Sequence, residues 1–248
     1  MNKGKALRLT ICATAVTLAV ACLSGQEQSL DELIEQLRSA TVASERIQAI
    51  QAIEKLGPKA AKAVPELARL LSAKDSAIQR SAVYALGAIG PKALPAAPEL
   101  IALRYSRNES LWSGALLQLP KLGPAVIVDL VDAVEHDAAI GPDEKGTRTD
   151  ADILAWDRRA ETTGAAAGVV RALGASAVPI LRQVLRDAVR RDNESRMLTA
   201  ALLLKDLGRS ASPSLVELRA ASQQARTSEV RQAVRAAIEA VSDSSFEK

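Results

Sequence analysis

Residue types that do chemistry are scarce in this chain. It has one histidine, His136, and two cysteines, Cys12 and Cys22. A Ser–His–Asp triad, a zinc site or a Cys–His pair needs more partners than these. No G-x-S-x-G, H-E-x-x-H or G-x-G-x-x-G string occurs, and Gly87 and Gly90 make only a G-x-x-G at a helix end. His136 reads as a solvated helix-end residue. Asp143, Glu144, Asp150 and Asp152 lie in one polar stretch but lack the alternating ligands and central glycine of an EF-hand loop, so no metal site is assigned. The expectation is no catalytic residue and no cofactor. Binding chemistry is what remains. Arg182, Arg186 and Arg190 recur every four residues, one stripe along a helix, which could meet an anionic partner or be a solvated face paired with Asp187. Trp156, with Trp112 and Tyr105, could anchor an interface or fill core beneath a long loop. The candidate partner surface is Arg182, Arg186, Arg190 and Trp156.

The first residues form an address. Residues 1–8 carry Lys3, Lys5 and Arg8 and no acid, and residues 9–23 are apolar apart from three threonines. A positive n-region and a short h-region of this kind mark a secretory signal; the run is short for a bilayer-spanning helix. Leu18-Ala19-Val20-Ala21-Cys22 resembles a bacterial lipobox, with Leu18 four rather than three residues before the cysteine. The resemblance implies lipid attachment at Cys22 and a protein held at the cell envelope. Ala19-Val20-Ala21 also serves as an ordinary cleavage site, which would release a periplasmic protein. Leu23 is not the aspartate associated with inner-membrane retention, so the outer membrane is the expected destination. Residues 1–21 are the expected signal peptide and 22–28 a linker. Both cysteines belong to this segment, so the mature domain has no disulfide.

The elements that position everything else are helices. The chain of 248 residues is 48% hydrophobic and only 2% aromatic, with 47 alanines and 32 leucines, a helical composition poor in the residues that strands favour. The net charge of +3 belongs wholly to the signal; the remaining 29 bases balance 29 acids, and a neutral domain speaks against nucleic-acid binding.

A search for internal periods finds glycines at 57, 90, 123, 174 and 208, spaced 33, 33, 51 and 34, with a degenerate copy ending at Val241-Ser242. Four before the glycine stand Ile53, Leu86, Leu119, Val170, Leu204 and Ile238; eight before stand Ala49, Ala82, Ala115, Ala166, Ala200 and Val234. These offsets share one helix face. Asp75, Asn108, Asn193 and Thr227 stand fifteen before and read as N-caps, which also accounts for the two Asn-Glu-Ser sequons at 108 and 193. The glycine is expected to end the helix in the left-handed conformation. A second helix follows, with Pro65, Pro98, Pro179 or Pro213 early in it. The unit is helix, tight glycine turn, helix. The 51-residue interval carries an 18-residue excess between Glu135 and Ala155, expected as an insertion loop over about 137–152.

The string Ile78 to Pro91, and again Val230 to Ile238, resembles the first helix and turn of short bacterial HEAT repeats (PBS-lyase-HEAT-like). Ankyrin repeats need a Thr-Pro-Leu-His string and TPR units need aromatics that this chain lacks. The resemblance implies an all-α fold, a right-handed α-solenoid of about five to six stacked helical hairpins, armadillo-like, over residues 29–243, with 29–40 as a capping helix, 228–242 as the closing helix and 244–248 as a disordered tail. It implies second helices on the concave side and a non-catalytic scaffold that binds a protein partner, as a monomer, without nucleic acid, and touching a membrane through the lipid on Cys22. A HEAT-like enzyme of the DNA glycosylase or lyase type and a purely structural envelope spacer are the alternatives.

Overall fold

In a computed structural model of the protein, the backbone is described for residues 28–139 and 150–242 and the side chains for 28–137 and 159–242. The expected signal, Cys22, Asp143, Glu144 and the tail 244–248 lie outside the described residues, as do the side chains of Asp150, Asp152 and Trp156.

Among the described residues the chain is helical throughout. A leading helix α1 (Leu30–Ser39) opens on a capping box, in which the Ser29 hydroxyl and the Glu32 carboxylate each accept from the other residue's backbone N–H. Five hairpins follow. Their first helices are α2 (Ala43–Leu56), α4 (Ser76–Ile89), α6 (Glu109–Gln118), α8 (Asp150–Leu173) and α10 (Glu194–Leu207). Their second helices are α3 (Val64–Leu70), α5 (Ala97–Ala102), α7 (Val126–Ala139), α9 (Val178–Arg190) and α11 (Leu215–Gln224). A single helix α12 (Ser228–Ser242) closes the stack. First helices pack on first helices, as α2 on α4 and α10 on α12, and second helices on second, as α9 on α11. The result is an all-α solenoid. No hairpin buries its apolar face alone; each needs its neighbours.

The repeated columns explain the packing. The alanine column at 49, 82, 115, 166 and 200 is buried to within 1%, and a methyl group there lets adjacent first helices approach closely. Gly87 goes further. A Cβ built on it would lie 2.2 Å from Gln118 Oε1 on the next first helix, so only hydrogen fits. The four expected N-caps all act: Asp75 accepts from the N–H groups of Ala77 and Ile78, Asn108 from Ser110, Asn193 from Arg196, and the Thr227 hydroxyl from Val230.

Three expectations need correction. The repeat glycines have positive φ, but at Gly57, Gly90 and Gly208 ψ is −131°, −137° and −132°. That is the mirror image of extended backbone rather than the left-handed helical region, and it suits glycine more exclusively than asparagine. The turn is also not merely tight: a 3₁₀ segment of seven residues follows Gly57, Gly90 and Gly208, and Pro213 sits inside the last of these rather than in the second helix. Finally, the insertion is shorter than 137–152. Helix α7 runs to Ala139 and α8 begins at Asp150, so Asp137 is helical and buried.

One stretch, residues 159–190, is long and apolar enough to cross a membrane by length and composition. Gly174, with φ +57°, divides it into α8 and α9, whose Val169, Val170, Leu181 and Leu185 are buried within the stack.

Candidate functional site

The arginine stripe lies on α9, held in place by Leu181, Val184, Leu185 and Ala188 on the buried side of the same helix. It is not a free cationic face. Arg182 donates from Nε to Glu217 Oε1 at 3.0 Å, and Arg186 from a terminal nitrogen to the same oxygen at 2.9 Å. Glu217 stands on α11, one repeat on, and is 6% exposed. Burial pushes its carboxyl up, but the two guanidinium groups outweigh this and hold it below the usual carboxylate value. Arg190 is the most exposed of the three, with Asp187 at 3.7 Å, an i,i+3 neighbour of little energetic weight. The stripe therefore spends two of its three charges on joining the fourth and fifth hairpins. Trp156 stands on α8 in the chain, and whether it meets the arginines lies outside the described side chains.

The neighbouring second helices carry the opposite sign. Glu99 on α5 and Asp129 and Asp132 on α7 lie together: burial, then the charge of Asp132, and further that of Glu99, push the Asp129 carboxyl above its ordinary value. Asp132 is met by Arg196 of α10 at 2.5 Å, and the same guanidinium nitrogen reaches Glu135 at 2.5 Å. The second-helix face thus passes from acidic in the middle of the stack to basic at α9. Beside it, the first turns of α10 and α12 border an open groove of about 430 Å³, lined by Glu135, Arg159, Asn193, Ser195, Thr227 and Val230.

The most buried ionic group was not singled out from sequence. Asp137, with a fully buried carboxylate, accepts from Arg104 Nε at 3.1 Å, from the Tyr105 hydroxyl at 2.5 Å and from the Thr162 hydroxyl at 2.8 Å. Arg104 also donates to the Ile101 carbonyl, and its guanidinium stacks 4.1 Å from the Tyr105 ring centre. Burial raises the Asp137 carboxyl, and the three donors more than reverse it, leaving it below its ordinary value. The four residues come from three consecutive hairpins, so this network ties both sides of the insertion to the second hairpin. Tyr105 therefore serves a polar tie rather than core filling; Trp112 is half-buried against the core. His136, next to Asp137, points to solvent in the last turn of α7, as expected.

A sequence signal for these ties exists. Arg104 and Asp137 stand 33 apart, Arg182 and Glu217 stand 35 apart, and Arg171 and Asp206, paired at 2.8 Å, also stand 35 apart. Opposite charges one repeat period apart are where stacked hairpins touch.

Residues 30–119 match the HEAT-repeat family. That segment spans α1 to α6 and stops short of the insertion, and HEAT repeats commonly mediate protein–protein binding. No curated protein matches the chain. Among solved structures, the chain is similar to a crystal structure of an engineered protein, at 19% identity and a TM-score of 0.42, covering 87% of this chain and 97% of that one; a likeness of that degree carries no argument here.

Proposed function

We propose that the protein is an exported, lipid-anchored, non-catalytic scaffold that binds another protein along its second-helix face. The observation that carries this reading is the charge pattern of that face: Glu99 and Asp129 in the middle of the stack, beside Asp132, which shares Arg196 with Glu135, and Arg190 beyond them, stand on consecutive second helices. A solenoid offers such a surface over its whole length. Export and the anchor rest on the basic start, the apolar run and the lipobox-like string ending at Cys22. The expected location is the periplasmic face of a bacterial membrane, with the outer membrane as destination.

Two measurements test it. Mass spectrometry of the mature N-terminus should find an acylated Cys22; an unmodified chain starting at Gln26 would refute the anchor. Cross-linking in the envelope should capture a partner with the native chain and lose it with Asp129→Lys and Arg190→Glu together; equal capture by both removes this face as the binding surface.

A further inference from the structure

We propose that the turn edge of the first three hairpins docks on an anionic phospholipid bilayer. The glycine turns of these hairpins form one continuous edge. The 3₁₀ segment after Gly57 touches the one after Gly90, which touches the one before Gly123. Lys92 Nζ donates to the Pro58 carbonyl at 3.3 Å, and a Cβ on Gly57 or Gly90 would lie 3.5 Å from the Ala88 or Lys121 carbonyl oxygen. Exposed along this edge are Lys55, Lys59, Lys62, Lys92 and Lys121. They keep register: Lys59 and Lys92 stand two after their glycines, Lys55 and Lys121 two before. Among the carboxylates near this edge, Glu54 is half-buried, and the exposed Asp31 is paired with Lys62 at 2.5 Å. On the opposite edge, where each second helix hands over to the next first helix, the signs are mixed, with Lys74 beside Asp75 and Arg107 near Glu109. In a formally neutral domain, one edge of the first three hairpins is thus rich in lysine while the other carries both signs.

Helix dipoles explain only part of this. Lys55 lies in the C-terminal turn of α2 and Lys121 just after that of α6, where cations are favoured. Lys59, Lys62 and Lys92 lie just before the N-termini of α3 and α5, where the dipole opposes them. Lysines with long mobile stems, in a row at the repeat spacing, suit diffuse headgroups better than a single bidentate ligand.

The tether emerges at the same edge. Asp31, in the first turn of α1, meets Lys62, so the chain enters the fold beside the lysines. Seven residues separate Cys22 from Leu30, at most roughly 25 Å of chain. An acylated Cys22 therefore holds this edge within reach of the bilayer. The inference takes its setting from the lipid-anchored reading above; the lysine row does not depend on it.

The test is co-sedimentation of the full chain with vesicles of phosphatidylcholine alone or with one-third phosphatidylglycerol. The leader is basic and contributes alike to every variant, so the readout is the change, from native chain to variant, in the ratio between the two vesicle types. The native chain should favour the phosphatidylglycerol vesicles more than tenfold, and the preference should fall with added salt. Lys59→Glu with Lys92→Glu should cut it more than tenfold, at about fivefold per unit of charge. Lys74→Glu with Arg107→Glu, exposed on the opposite edge, should leave it intact. Equal binding to both vesicle types, an equal loss in the opposite-edge variant, or preferential retention of duplex DNA over vesicles would overturn the proposal. An unacylated Cys22 with intact vesicle discrimination removes the anchor alone; an acylated Cys22 without discrimination removes the lysine edge alone.

Discussion

The first three hairpins and the junction between the third and fourth are built on different physics. From α1 to Leu117 the buried residues among those described are apolar or glycine, and one buried cationic side chain, Arg104 at 8% exposure, is the arm that reaches Asp137 across the junction. Adjacent first helices there meet through Ala49, Ala82, Ala115 and Gly87, and the turns stack glycine against carbonyl. From Gln118 onward the buried residues include Gln118, Asp137, Thr162, Thr199, Ser214 and Glu217. The 18-residue excess interrupts the regular stacking, and the Asp137 network spans the break. The lesson concerns what a repeat can absorb. Where the period is kept, small residues and apolar columns suffice. Where it is broken, the joint is fixed by directional polar contacts, which hold one geometry but are costly when half-broken.

The largest expected effect attacks the joint. Asp137→Leu leaves the Arg104 guanidinium buried without its carboxylate and should destabilise by about 3–5 kcal/mol in urea unfolding. The regular half breaks differently. Gly90→Ala forces a side chain into mirror-extended backbone and should cost about 1–3 kcal/mol, with Gly90→Asn no better; recovery by asparagine would show a left-handed turn instead.

Acid should loosen the joint before the regular half. Asp137 and Glu217 are held below their ordinary values, so their contribution is present above the unfolded carboxylate range near pH 4 and is lost as pH falls through their lower native values. Asp129, raised, works in the opposite sense. Hydrogen exchange followed from pH 6 to pH 3 should show protection falling first in α7, α9 and α11. Uniform loss along the chain would erase the distinction.

The smallest effect has the opposite sign. Gly164 is exposed on α8 with nothing within 4 Å of a Cβ position. Gly164→Ala should stabilise by about 0.5–1 kcal/mol, read as a higher melting temperature. A loss would mean that the face of α8 is covered.

The regular part of this fold was legible in the sequence, and the irregular part was not. Glycines, alanines and N-caps recur in register, so each column is read several times; the closing helix lies at 228–242 as expected. The insertion occurs once. Asp137, beside the only histidine, belongs to no repeated column; its one signal is the 33-residue spacing to Arg104, and its placement in a loop followed from its polarity. The same cause hid Glu217: an acid on a second helix looks solvated until the arginines 31 and 35 residues earlier are placed against it. The arginine stripe was visible as a pattern, but its two inward ties were not.

A double-mutant cycle on Arg104 and Asp137 tests most directly whether a buried ionic network holds the stack across the insertion. Asp137→Leu alone should lose about 3–5 kcal/mol, and Arg104→Met with Asp137→Leu should regain most of it, because an apolar pair leaves no charge unpaired. If the double variant instead loses the sum of the two single losses, the residues act independently and the junction is held by something else.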